Sequence, residues 1–202
     1  VERLRRGDVH PSTSQPTVAD FTSVYESLTT TQRPILSIHI SEGLSGTVNA
    51  ARQAARQFPD YPISVFDSQT ISAALGFHVL TAARAADAGA DVESILPRLE
   101  RLRREVNLLF SLDDLAYLVR GGRIGQVQYR VGQTLSIKPI ITVSKSGATR
   151  GTYVSAGRVR SLDKAVDGFV KLMLNDVPAG SKIRVMGFHG VGKTPELIAR
   201  LE

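Results

Sequence analysis

The stretch 35–55, ILSIHISEGLSGTVNAARQAA, changes character in its middle, and its reading decides the fold. Ile35, Leu36, Ile38 and Ile40 form a short apolar run of strand length, suited to a sheet covered on both faces. Ser41, Gly43, Ser45, Gly46 and Thr47 follow, small residues that let backbone N–H groups point outward where a helix begins. Ala50, Ala51, Ala54 and Ala55 then supply strong helix formers whose small side chains allow close approach to a sheet. The loop thus falls between a strand end and a helix N-terminus. Open α/β sheets bind ligands there, and unpaired N–H donors and the helix dipole favour an anion. Hydroxyls on Ser41, Ser45 and Thr47 add donors to the same place. Taken alone, Ser45 or Gly46 reads first as a helix cap, so the rest of the chain has to move the reading toward an anion site.

Downstream, residues 63–66 repeat the strand pattern and end on Asp67 and Ser68. An Ala-rich helix over 71–90 stops at Gly89, and Asp91 caps another that runs to about Glu105. Strand, helix, strand, helix implies a parallel sheet with right-handed crossovers. Upstream, residues 1–16 start without a methionine and end in a polar, extended stretch. A helix is predicted from Thr17, with Asp20 placed for a capping box and Phe21, Val24, Tyr25 and Leu28 on one face.

The second half has a different grammar. It reads as a strand over 108–112, a helix opened by Asp113 and Asp114 that stops at Gly121 and Gly122, and a further helix over 124–136. Residues 139–143 and 151–155 flank the turn signal Ser144-Lys-Ser-Gly147 as an antiparallel hairpin. Ser161 caps another helix, and residues 182–189 form a strand before a short terminal helix. The expected fold class is α/β, an N-terminal parallel-sheet domain over 1–108 followed by an α+β domain over 109–202.

Composition narrows the function. With 202 residues and 42% hydrophobic content the chain builds an ordinary core, and no apolar run approaches the length of a membrane span. The first residues, VERLRRGDVH, lack the apolar core of a signal peptide, so a cytoplasmic protein is expected. Zero cysteines exclude disulfides, a catalytic thiol and thiolate metal sites. Four histidines without HxxxH or HxH spacing give a metal site no support, and no cofactor is expected. The net charge of +6 comes mostly from dispersed arginines. With 6% aromatics and no Trp, nucleic-acid binding is not indicated, and Arg98, Arg101, Arg103 and Arg104 read as a solvated helix face.

Several motifs carry potential chemistry. Residues 187–194, GFHGVGKT, satisfy the phosphate-binding pattern G-x-x-x-x-G-K-[ST], which offers a nucleotide-binding enzyme using Lys193 as the alternative function. Eight residues of the sequence follow Thr194, and a downstream strand with the acidic magnesium-site residue such enzymes use is not expected among them. Ser45 is not in a G-x-S-x-G elbow, and adjacent Asp113 and Asp114 diverge by about 100° on a helix, so neither supports catalysis. Gly121-Gly122-Arg123-Ile124 presents a cation on a tight corner, or is an ordinary helix end.

Five of these stretches, in order and over nearly the whole chain, resemble the bacterial DegV family. They are Thr13-Ser14-Gln15-Pro16; Ser37-Ile-His-Ile-Ser41 with Leu44-Ser45-Gly46-Thr47; Asp67-Ser68; Gly121-Gly122-Arg123-Ile124; and Lys138-Pro139-Ile140-Ile141. The resemblance implies a two-domain fold and a fatty acid carrier without catalysis of its own, which presents its ligand to a separate ATP-dependent fatty acid kinase for acyl phosphate formation. It further implies that the hydroxyls of Thr13 and Ser45 hold the carboxylate beside the Gly46 backbone. Arg123 would contact the kinase, with Arg160 a second basic contact. The family pattern also has a segment before Thr13 and one past Glu202 bearing a head-group histidine, so this chain is expected to be a fragment. The phosphate-binding pattern falls at a strand–helix junction of the second domain and is read as coincidence.

Overall fold

The computed structural model describes residues 12–124, 127 and 137–187. Helix α1, Val18–Thr29, opens with the predicted capping box: Thr17 Oγ1 accepts from the Asp20 N–H at 3.2 Å, and Asp20 Oδ2 accepts from the Thr17 N–H at 2.7 Å. Strand β1, Ile35–His39, pairs in parallel with β2, Ile63–Asp67, from Ile35 opposite Ile63 to His39 opposite Asp67. Helix α2, Thr47–Ala55, is the crossover between them. Helices α3, Ser72–Asp87, and α4, Val92–Glu105, follow β2. The chain leaves α3 through Gly89 at φ +85°. The Asp91 carboxylate accepts from the Ser94 N–H at 2.8 Å to start α4.

Alternation along the strands explains the two covered faces. Ile35 and Ile63 pack with Tyr25, Ala51, Ala54 and Phe58 under α1 and α2. Leu36, Ile38 and Phe66 pack with Ala82, Ala85, Ile95 and Leu99 under α3 and α4.

In the second half, α5, Ala116–Arg120, precedes an antiparallel pair, β3, Lys138–Val143, with β4, Tyr153–Val159. A 3-10 turn over Gly147–Thr149 joins the two strands. Helix α6, Ala165–Asp176, lies across the pair. A Cβ on Gly168 would come within 2.5 Å of Ile140 Cδ1, so the glycine sets how closely that helix sits. Leu44, from the loop before α2, is buried in the core of this second half with Leu115, Val127, Ile141, Val143 and Tyr153.

Two predicted strands differ. Residues 108–112 form only a bridge, Phe110 opposite Ile141, with N–H···O distances of 3.0 and 2.8 Å. The next bonded pair in that register would place residue 112 opposite Pro139, which has no N–H to donate, and the ladder stops. Residues 182–187 are not strand: they have no pairing neighbour among the described residues, and Ile183 and Val185 are exposed. The predicted hairpin is present with its second arm two residues later than expected. Residues 1–11, most of the predicted helix over 124–136 and everything after residue 187 lie outside the described residues. Among the described residues no helix is long and apolar enough to cross a membrane.

Candidate anion-binding site

The loop after β1 is held from both sides. Ser68, fully buried, donates through its N–H and its hydroxyl to the His39 carbonyl at 3.1 and 2.7 Å. The Asp67 carboxylate accepts from the Gln69 N–H at 2.9 Å and the Glu42 N–H at 3.3 Å. Asp67-Ser68 is therefore the brace that ties the two strand ends together. On the other side Ser41, also fully buried, donates to the Gly151 carbonyl at 2.7 Å and accepts from the Gly43 N–H at 3.2 Å. Gly151 adopts φ +80°, and a Cβ there would collide with the Ser41 hydroxyl. The expectation that Ser41 offers its hydroxyl to an anion is corrected by this geometry: its donor is spent on the hairpin turn.

Ser45 and Thr47 are placed differently. Their hydroxyls lie 2.7 Å apart, and Ser45 Oγ accepts from the Thr47 N–H at 3.3 Å. Gly46 is the N-cap of α2 and supplies no side-chain acceptor, so the next N–H groups of the helix have no intrahelical partner. Two partly exposed hydroxyls beside open N–H donors and the positive end of a helix make a place for a small anion. The helix-cap reading of this corner is seen directly, since Gly46 is the N-cap and Ser45 helps to start the helix.

Thr13 lies in the exposed stretch ahead of α1 and forms no hydrogen bond with Ser45. The segment still reaches the loop, because the Gln15 amide packs on Gly46 so closely that a Cβ there would lie 2.5 Å from Gln15 Oε1. Arg123 leaves α5 through Gly122, at φ +69°, and donates to the Gly121 carbonyl. Arg160 is exposed just after β4. Neither arginine has an acidic partner among the described residues.

Sequence reasoning gave no role to Gln15 or His39. The His39 Nε2 lies 2.7 Å from Ser37 Oγ, which accepts from the Tyr25 hydroxyl at 2.8 Å. Phe21 meets the imidazole edge-on, with ring centroids 5.1 Å apart. Burial, reinforced by the Arg52 guanidinium, holds the His39 pKa below its ordinary value and keeps the ring neutral. Arg52 itself folds back onto Glu42 at 2.8 Å and Asn49 at 3.2 Å, above the same loop. The one signal for this chain in the sequence was the polar alternation of Ser37 and His39 within an apolar strand.

The class defined by these features is a two-part α/β protein with a hydroxyl-bearing loop at a strand-to-helix junction, packed against an antiparallel hairpin. The chain belongs to the DegV family: the family model described as "Uncharacterised protein, DegV family" matches residues 1–202. A DegV domain-containing protein of Deinococcus radiodurans is 35% identical over 94% of this chain and 64% of its own length. The chain thus spans less than two thirds of that relative. Among solved structures, a DegV family protein of Thermus thermophilus, described for its fatty acid binding, matches with TM-score 0.78 and 38% identity. That match covers 86% of this chain and 60% of the other. A DegV lipid-binding protein of Thermotoga maritima matches with TM-score 0.84 and 31% identity over 99% of this chain and 69% of the other.

Proposed function

We propose that this chain is part of a fatty acid carrier that holds the ligand's carboxylate at Ser45 and Gly46, with Thr13 closing over it from the segment that carries Gln15. The observation that carries this reading is the Ser45–Thr47 hydroxyl pair, 2.7 Å apart, at a helix N-terminus whose N-cap, Gly46, adds no side-chain bond. The likeness to fatty-acid-binding and lipid-binding members of the family supports it. The halves 1–108 and 109–202 meet at this loop, and the acyl chain runs between apolar side chains.

Burying about sixteen carbons at about 0.8 kcal/mol per CH₂ gives a gross driving force far larger than a head-group contact supplies. The hydroxyls therefore orient the carboxylate. The carrier performs no catalysis, and Arg123 with Arg160 meets an acidic face of a cytoplasmic fatty acid kinase. The test is denaturing extraction of the untreated protein followed by mass spectrometry. A stoichiometric long-chain fatty acid is expected; an empty protein that takes up no added fatty acid defeats the reading. In the double variant Ser45→Ala with Thr13→Ala, lipid stays bound while its carboxyl carbon loses its distinct NMR shift.

A further inference from the structure

The hydrogen bonds around Ser37 fix more than the orientation of His39. The Tyr25 hydroxyl donates to Ser37 Oγ, and Ser37 has no other acceptor for its own hydrogen among the described residues than His39 Nε2, 2.7 Å away. Nε2 is then the lone-pair nitrogen, and a neutral imidazole must carry its hydrogen on Nδ1. Nδ1 has no partner among the described residues, and His39 is only half-buried. The His39 ring stands where β1 runs into the loop, edge-on to Phe21 of α1. Gln15, from the segment leading into α1, crosses to Gly46 on the other side of the same corner. The Nδ1–H donor therefore belongs to the last residue of β1, the strand that leads into the loop carrying Ser45 and Thr47.

We propose that the Tyr25–Ser37–His39 chain sets His39 Nδ1–H as a further donor to the ligand's carboxylate, beside Ser45 and Thr47. The assignment rests on the carrier reading above and adds the residue that fixes the direction of the head group. A hydroxyl can turn and donate elsewhere, as one of Ser45 and Thr47 does to the other; an imidazole held at Nε2 cannot. Tyr25, two bonds away, acts through Ser37 as a positioning residue.

The experiment is NMR of the whole chain with ring-¹⁵N histidine and oleate ¹³C-labelled at the carboxyl. Without oleate, His39 is expected as the Nδ1–H tautomer; the Nε2–H tautomer overturns the inference with no substitution needed. On adding oleate, the Nδ1 and carboxyl resonances shift together. His39→Leu weakens oleate binding about tenfold and moves the carboxyl resonance, whereas His39→Asn, which keeps an amide donor at the Nδ1 position, restores most of both. Tyr25→Phe leaves oleate bound but mixes the tautomers. Oleate that binds wild type and His39→Leu with equal affinity and the same carboxyl shift overturns the His39 assignment and leaves the carrier reading standing. A wild-type chain that binds no oleate overturns both.

Discussion

At the scale of single residues, His78 contrasts with His39. It is fully buried on α3, its Nδ1 donating to the Ala74 carbonyl at 2.8 Å and its Nε2 unpartnered. Burial holds its pKa below the ordinary 6.5, opposed by the Ala74 carbonyl, with Arg103 lowering and Glu100 raising it further. The unfolded chain takes up a proton below about 6.5 that the folded chain refuses, so this contribution is intact above that pH and is lost as pH falls below it. His39 is shifted in the same direction and adds to the same decline. We expect the melting temperature to drop between pH 7 and pH 5, and His78→Leu to flatten part of that drop. At pH 7 the leucine variant should be as stable as wild type or about 1 kcal/mol more stable, since it removes an orphaned nitrogen. An acid limb identical in the two proteins would assign it to carboxylates instead.

Ser41→Ala tests another fully buried polar contact. It leaves the buried Gly151 carbonyl without its donor at the price of about 1–3 kcal/mol, read as a lower denaturant midpoint. Gly151→Ala should cost at least as much, because the new methyl meets the Ser41 hydroxyl and the backbone stays at positive φ.

At the scale of elements, capping and turn chemistry made much of the first half legible. Thr17 with Asp20, Asp91 and Gly89 mark helix ends through bonds between near neighbours, and such bonds are written in consecutive residues. Thr17→Ala should accordingly cost about 1 kcal/mol in urea unfolding, without changing the slope. A loss below a few tenths would mean that packing of Tyr25 and Phe21, and not the cap, holds α1. The strand over 108–112 was not legible, because its failure depends on a residue it meets only through folding, Pro139. Residues 182–187 have strand composition, but composition cannot supply a neighbour to pair with.

At the scale of the whole molecule, the place of the candidate loop between strand and helix could be read, and the contacts around it could not. A strand, small residues and an alanine-rich helix locate the loop, and Ser45 and Thr47 stand at it as expected. Ser41 looked equivalent to them in the sequence, and only the return of the chain over a hundred residues later, at Gly151, removes it from the donor set. Likewise His39 gained its meaning from Tyr25, which lies on a separate helix. The arginines are a matter for this scale too. Arg123→Glu should leave the extracted lipid unchanged while slowing acyl phosphate formation by an added kinase at least tenfold; an unaltered rate would remove Arg123 from the partner surface.

The placement of Leu44 bears on how the chain can be divided. The loop that presents Ser45 is encoded in the first half, but its apolar anchor is sheltered by Leu115, Ile141 and Tyr153 of the second. A cut at residue 108 would separate the two sheets, leave the loop its Asp67–Ser68 brace, and take away the shelter of Leu44 and the Ser41–Gly151 bond. The sheets can be counted as two units, whereas the candidate corner draws its supports from both.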